Sequence, residues 1–82
     1  MNDLEILERV KKVVSEVLGV DKDKITPEDR FVEDLGAESV QGLELIAAFE
    51  EEFGIEMDEE KALEVKTVGK AVEFIKEYLA KK

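Results

Sequence analysis

The 82-residue sequence contains no cysteine, no histidine and no tryptophan, and it has a single proline. Without cysteine the chain forms no disulfide, which fits a reducing compartment, and any thiol chemistry would need a group supplied from outside. Without histidine it lacks the usual general base and the commonest metal ligand. No acid–base pair stands at a spacing typical of an active site, so we expect neither an enzyme nor a metal site.

Long apolar segments are also missing. The longest apolar run is the five residues from Leu45 to Phe49, far short of the ~20 needed to span a bilayer. The N-terminal residues are charged and do not resemble a signal peptide. We therefore expect a cytoplasmic protein without membrane insertion. At this length, residues 1–82 are expected to form one domain with a small hydrophobic core.

Negative charge is what the sequence has in excess. The formal net charge is −10, and residues 28–64 hold 14 acidic and 2 basic side chains. Such a field repels nucleic acid and attracts basic protein surfaces, so we expect basic protein partners and no nucleic acid. We also expect a monomer. The alternative interpretation is a solvated acidic face that only keeps the protein soluble.

The spacing of apolar residues predicts an all-α fold. Spacings of three and four predict a helix over residues 2–18, a second over 39–53 and a last one after a cap at Thr67. A short, weakly amphipathic third helix is predicted over residues 58–64. The expected architecture is a small four-helix bundle, with three main helices, a short third helix and a long loop between the first and second helices.

The long loop over residues 20–38 has scattered apolar anchors and no sustained period. Its stretch Thr26-Pro27-Glu28-Asp29 predicts one short turn of helix, with a cap and a proline at the first helical position. A calcium loop starting at Asp21 is rejected, because the EF-hand pattern needs glycine and glutamate where this chain has Thr26 and Val32. Unstructured connections of this length are usually functional.

Two apolar stripes run along the second helix. The first predicts core contacts, and its members are Leu45, Ile46, Phe49 and Phe53. The second is narrower, is flanked by Gln41, Glu44 and Glu51, and consists of Val40, Leu43 and Ala47. An apolar stripe with carboxylates beside it suits docking to basic partners, although periodicity alone also allows all three apolar residues to be core.

Ser39 stands where the second helix is expected to begin. A hydroxyl there faces unpaired backbone N–H groups and the positive end of the helix dipole, which suits an N-cap and equally a phosphate ester. The N-cap role is the common one for serine. The third residue after Ser39 is Gly42 rather than glutamate or glutamine, so no reciprocal capping box is expected on Ser39.

The segment around Ser39 closely resembles the acyl carrier proteins, and the resemblance extends from about Leu4 to Leu79. It rests on the chain length and on three motifs, Asp34-Leu35-Gly36-Ala37-Glu38-Ser39-Val40, Leu43-Glu44-Leu45 and Glu50-Glu51-Glu52-Phe53. It implies that a phosphopantetheinyl transferase attaches 4′-phosphopantetheine to Ser39. The group then carries acyl chains as thioesters between acyl-transferring and chain-extending enzymes with basic docking surfaces.

The resemblance also implies two further sets of site residues. The partner-binding positions correspond to Glu38, Val40, Leu43, Glu44, Ala47 and Glu51. The positions that line the family's acyl pocket correspond to Phe31, Phe49, Met57, Ala62, Val65 and Ala71. Phe49 is larger than the aliphatic residue often found there, which predicts a shallower cavity.

Three uses of such a carrier are open: fatty-acid synthesis, polyketide assembly and specialised lipid biosynthesis. The sequence departs from common family residues at Glu38, Val40, Gln41 and Ala47, which favours a specialised carrier. The alternative from another class is an unmodified acidic helical adaptor that binds basic protein surfaces through the stripe of Val40, Leu43 and Ala47.

Overall fold

The structure, a computed structural model, describes residues 2–81. In this part of the chain the α-helices are α1 (Asp3–Leu18), α2 (Ser39–Phe53), α3 (Glu59–Leu63) and α4 (Val68–Ala80), and there is no strand. A short 3-10 helix (Lys22–Lys24) lies in the loop between α1 and α2. The predicted all-α fold, with its short third helix and long first loop, is confirmed.

Local signals fix the ends of the helices. The Asn2 side chain accepts a hydrogen bond of 2.8 Å from the Glu5 N–H and so caps α1. The helix ends at Gly19, whose φ of 71° is left-handed and therefore favours glycine. Asp58 and Thr67 cap α3 and α4 through their side-chain oxygens.

The core lies between α1 and the two other long helices, since α1 packs against both α2 and α4. Val10, Val14 and Val68 have no exposed surface at all. Burial of an aliphatic side chain of this kind stabilises the fold by about 1.5–3 kcal/mol relative to exposure. The other buried members of the same cluster are Ile6, Val13, Ile25, Phe31, Ala37, Leu45, Phe49, Phe53, Ile55, Ala71 and Ile75.

A polar contact joins α1 to α2 at the edge of this core. The Glu52 carboxylate accepts hydrogen bonds from Arg9 Nε at 2.8 Å and from Lys12 Nζ at 3.3 Å. The guanidinium of Arg9 also lies over the ring of Phe53, 5.3 Å from its centroid. The hydrogen bond from Arg9, reinforced by Lys12, holds the pKa of Glu52 below its ordinary value.

The predicted helical turn over Thr26 to Asp29 is wrong. This stretch is a single hydrogen-bonded turn, in which the Asp29 N–H donates to the Thr26 carbonyl at 3.1 Å. The helical turn of the loop lies earlier, at Lys22–Lys24, where the Asp21 carboxylate accepts the Asp23 N–H at 3.0 Å. Two carbonyls of the predicted turn, those of Pro27 and Asp29, instead accept hydrogen bonds from the start of α4.

The loop is attached to α4 through backbone hydrogen bonds. The carbonyls of Pro27 and Asp29 accept the N–H groups of Gly69 and Val68 at 2.8 and 3.0 Å. These bonds satisfy two of the free donors at the start of α4, so the loop carbonyls do not build a helix of their own. A Cβ at position 69 would lie 3.1 Å from the Pro27 oxygen, which explains the glycine. The loop thereby carries residues 31–38 to the start of α2.

Candidate functional site

The first turn of α2 is capped by Glu38. Its backbone is extended, with φ −90°, and its N–H donates to the Gln41 side-chain oxygen at 2.9 Å. Ser39 is therefore the first helical residue and not the cap, which corrects the interpretation of its position. The predicted bounds of α2 are correct. Ser39 makes no reciprocal capping contact, as expected, and Gln41 makes one with Glu38 instead, because it lies three residues after that residue.

Because Glu38 takes the N-cap position, the Ser39 hydroxyl is not used to cap the helix. The residue is exposed, and its Oγ has no hydrogen-bond partner among residues 2–81. It lies where the free N–H groups and the dipole of α2 favour negative charge. The position therefore suits a group attached through a phosphate.

A fixed bend leads the chain to Ser39. Asp34 accepts the Arg30 backbone N–H at 2.8 Å and its Nε at 3.1 Å, and the Leu35 N–H donates to the Arg30 carbonyl at 3.0 Å. The Arg30 side chain, followed by its backbone N–H, lowers the pKa of Asp34 below the ordinary value. The Ala37 N–H then donates to the Phe31 carbonyl at 2.8 Å, and Ala37 is buried. These contacts present Ser39 at the surface.

An apolar cavity of about 270 Å³ lies beside Ser39. It opens to the surface there, because Ser39 and the exposed Val32 and Glu38 are part of its lining. All of the residues expected to line an acyl pocket do line this cavity, namely Phe31, Phe49, Met57, Ala62, Val65 and Ala71. The fold brings them together from the long loop, α2, α3, α4 and the connections on either side of α3.

Sequence reasoning missed part of this lining. Gly42, Leu45, Ile46, Leu63, Phe74 and Ile75 also line the cavity. Gly42 follows Ser39 by three residues and so shares its helix face, a signal that could have found it. The apolar spacing predicts core positions for Leu45 and Ile46, and only the packing of the helices and the loop decides which core residues also line the cavity.

The outward face of α2 carries the narrow apolar stripe. Val40 is 66% exposed, Leu43 is 48% exposed, and Ala47 is exposed as well. The alternative that these residues belong to the core is therefore wrong. Exposed carboxylates lie on the same helix and at its cap, contributed by Glu38, Glu44 and Glu51.

The stripe continues onto the loop. A shallow surface depression is lined by Val32, Ala37, Glu38, Ser39 and Val40. Val32 is 60% exposed, and no sequence pattern predicts that it would meet the stripe. An apolar patch therefore surrounds the Ser39 hydroxyl, with carboxylates nearby.

Comparisons with known proteins bear on this site. The family described as "Phosphopantetheine attachment site" matches residues 8–75. The acyl carrier protein of Thermosynechococcus vestitus is 49% identical over 80 residues, which are 98% of this chain and 99% of that protein. The chain belongs to the acyl carrier protein family. A solved structure from Mycobacterium tuberculosis, assigned as an acyl carrier protein, is similar with a TM-score of 0.82 and 29% identity, covering 89% of this chain and 97% of that one.

Family membership settles the class of function. The protein is a carrier and not an enzyme, and it bears covalently attached 4′-phosphopantetheine. Acyl carrier proteins interact with a phosphopantetheinyl transferase and with acyl-handling enzymes. When bound, the group supplies the thiol that a chain without cysteine lacks. Among the helices in residues 2–81, none is long and apolar enough to cross a membrane.

Proposed function

We propose that Ser39 is the attachment site of 4′-phosphopantetheine and that the protein carries acyl groups as thioesters between partner enzymes. The observation that carries this proposal is the Ser39 hydroxyl, exposed and unpartnered within the described chain at the first residue of α2. Its place at the opening of an apolar cavity adds support, since an acyl chain attached there is within reach of apolar shelter.

The proposed partner surface is the exposed face of α2. Val40, Leu43 and Ala47 supply apolar contact, and the carboxylates of Glu38, Glu44 and Glu51 supply attraction for basic surfaces. The 14 acidic side chains of residues 28–64 extend that attraction beyond contact distance and speed the encounter with a basic partner. The exposure of these three apolar side chains supports this assignment.

The cavity is proposed to shelter the acyl chain. Phe31, Phe49, Met57, Ala62, Val65 and Ala71 are its proposed contacts. The bulk of Phe49 favours chains of medium length over long ones. Among the uses open to the family, the residues Glu38, Val40, Gln41 and Ala47 favour a specialised carrier over one for fatty-acid or polyketide synthesis. A single domain over residues 1–82 and a cytoplasmic location stay predictions from the sequence.

The attachment site is tested by intact mass. The protein and a Ser39→Ala variant are each incubated with coenzyme A and a broad-specificity phosphopantetheinyl transferase. We expect the native chain to gain one phosphopantetheine and the variant to gain none, because the variant lacks the hydroxyl. A gain on the variant would place the group elsewhere.

If several transferases leave both proteins unmodified, a partner pull-down with the unmodified chain follows. Capture of basic proteins through the face of Val40, Leu43 and Ala47, equal for native protein and Ser39→Ala, would favour the adaptor alternative. Capture of a dedicated transferase that then modifies the native chain alone would restore Ser39 as the site.

A further inference from the structure

The glycine inside α2 has no backbone reason to be there. Gly42 lies in regular helix without a positive φ, whereas the left-handed region accounts for Gly19, Gly36 and Gly54. Gly69 is accounted for by its close approach to the Pro27 oxygen. Because glycine in a helix interior is destabilising relative to alanine, α2 is less stable with Gly42 than it would be with a side chain there.

Packing does not require this glycine either. A Cβ at position 42 would lie 3.9 Å from Leu63 Cδ2, an ordinary van der Waals distance, and outside α2 it would meet no other atom of residues 2–81 within 4 Å. The α2 backbone at Gly42 and the side chain of Leu63 on α3 therefore face each other across a gap no wider than a methyl group. The glycine leaves this gap unfilled.

The gap lies between Ser39 and the apolar interior. Gly42 is one helical turn after Ser39 and on the same face, and both residues line the cavity. Leu63 lines it from the opposite side and is 44% exposed, so it stands at the surface end. The buried lining residues Leu45 and Phe49 follow Gly42 along α2, toward the core.

We propose that Gly42 and Leu63 form the entrance to the cavity and that the missing side chain at position 42 determines which acyl chains can be sheltered. The inference rests on the proposed function, in which the acyl group is carried on Ser39. In this proposal the exposed Leu63 side chain turns aside to admit an acyl chain. A side chain at position 42 narrows the resulting opening, and a smaller side chain at position 63 widens it again. Gly42 is thus a specificity-determining residue.

The test measures how well the cavity protects a thioester. Native protein, Gly42→Ala, Gly42→Leu and Gly42→Leu with Leu63→Ala are loaded with acetyl or octanoyl groups, and hydroxylamine cleavage is followed by mass. Ala80→Leu, which adds the same side chain to an exposed helical position away from the cavity, is the matched control. Loading is checked first by the mass gained on Ser39.

We expect the octanoyl thioester of the native protein and of Ala80→Leu to be cleaved more slowly than the acetyl thioester. Gly42→Leu should lose this protection, so that both thioesters are cleaved at the acetyl rate, and Gly42→Ala should lose part of it. Adding Leu63→Ala to Gly42→Leu should restore protection. Acetyl cleavage should be the same throughout, because an acetyl group is too short to enter.

Melting temperatures separate a closed entrance from a damaged fold. Gly42→Ala should melt at a higher temperature than the native protein, since alanine favours the helix, while protecting the octanoyl group less. Loss of protection through unfolding would instead accompany a lower melting temperature. Gly42→Ala therefore decides the matter even if Gly42→Leu does not fold.

Equal octanoyl protection by native protein and both folded Gly42 variants would overturn the inference while leaving the carrier function intact. Octanoyl and acetyl thioesters cleaved equally fast on the native protein would also overturn it, because no chain would then enter the cavity. Failure of every transferase to load Ser39 would overturn the proposed function, and the inference with it.

Discussion

Glu52 is the one acidic residue of the run Glu50-Glu51-Glu52 that contacts cations of another helix. Its side chain is only 16% exposed and lies against Arg9 and Lys12 of α1. Its pKa is lowered because these cations favour the charged carboxylate. A group whose pKa is lower in the folded state stabilises the fold above its ordinary pKa, and this contribution is lost as the pH falls through the lowered value.

Replacement of Glu52 by glutamine tests this pH-dependent contribution to the stability of the fold. At neutral pH we expect Glu52→Gln to lower the free energy of unfolding by about 1 kcal/mol, since it removes charge-assisted hydrogen bonds from a partly buried site. Denaturant melts should show the difference from the native protein shrinking below about pH 4, the ordinary range for a glutamate. Glu51→Gln, with the same loss of charge at an exposed neighbour, is the control. A difference between Glu52→Gln and native protein that stays constant down to pH 2 would contradict the idea.

At Ser39 the nearest neighbours decide the chemistry. Glu38 takes the cap position and Gln41 accepts its N–H, so the serine hydroxyl is spared from capping the helix. The sequence contained this pairing, but its recognition depends on placing the N-cap one residue earlier, at Glu38. A serine cap and a serine at the first helical position differ by one residue of register, which is the usual uncertainty of helix ends.

The short helix α3 forms one wall of the cavity and is positioned by its neighbours. With only five residues it is too short to be stable alone. The connection before it is held from two sides: the Glu50 carboxylate of α2 accepts the Met57 N–H at 2.8 Å, and the Tyr78 hydroxyl of α4 accepts the Asp58 N–H at 2.9 Å. The position of α3 therefore depends on both long helices.

Removal of the Tyr78 hydroxyl tests this dependence. Tyr78→Phe keeps the ring, which packs edge-on against Phe74 at 5.1 Å between centroids, and removes only the acceptor for the Asp58 N–H. We expect the fold to lose roughly 0.5–1 kcal/mol, with faster amide hydrogen exchange at Asp58 and through α3, and little change in α1. Unchanged exchange in α3 would show that the hydroxyl does not position this helix.

Over the whole molecule the charge is far from balanced. The formal net charge of −10 is concentrated in residues 28–64, which contain the long loop's end, α2 and α3. In the described chain several basic side chains form pairs within or beside α1, such as Lys76 with Asp3 and Lys22 with Glu8. The remaining carboxylates repel one another and also attract basic partners. The charge that favours docking therefore lowers the stability of the fold.

This repulsion predicts a stability that depends on salt. We expect the melting temperature at neutral pH to rise as sodium chloride or magnesium chloride is added from low ionic strength, because screening weakens the repulsion around α2 and α3. Screening also weakens the attractive pairs, so a rise means that repulsion is the larger effect. A melting temperature that stays constant or falls over the range would contradict this account.

The sequence by itself determined the four helices, the distribution of charge and the position of Ser39 at the start of α2. These features depend on signals a few residues apart, such as the apolar spacing, the caps at Asn2, Asp58 and Thr67 and the left-handed glycines Gly19 and Gly54. Family resemblance then selected the cavity residues. Only the tertiary structure decided that Pro27 and Asp29 bond to α4 instead of forming a helical turn, since donors far along the chain compete for those carbonyls. It likewise decided that Gly42 lies opposite Leu63 in the lining of the cavity beside Ser39, because the spacing between two helices depends on their packing and leaves no periodic trace in either one.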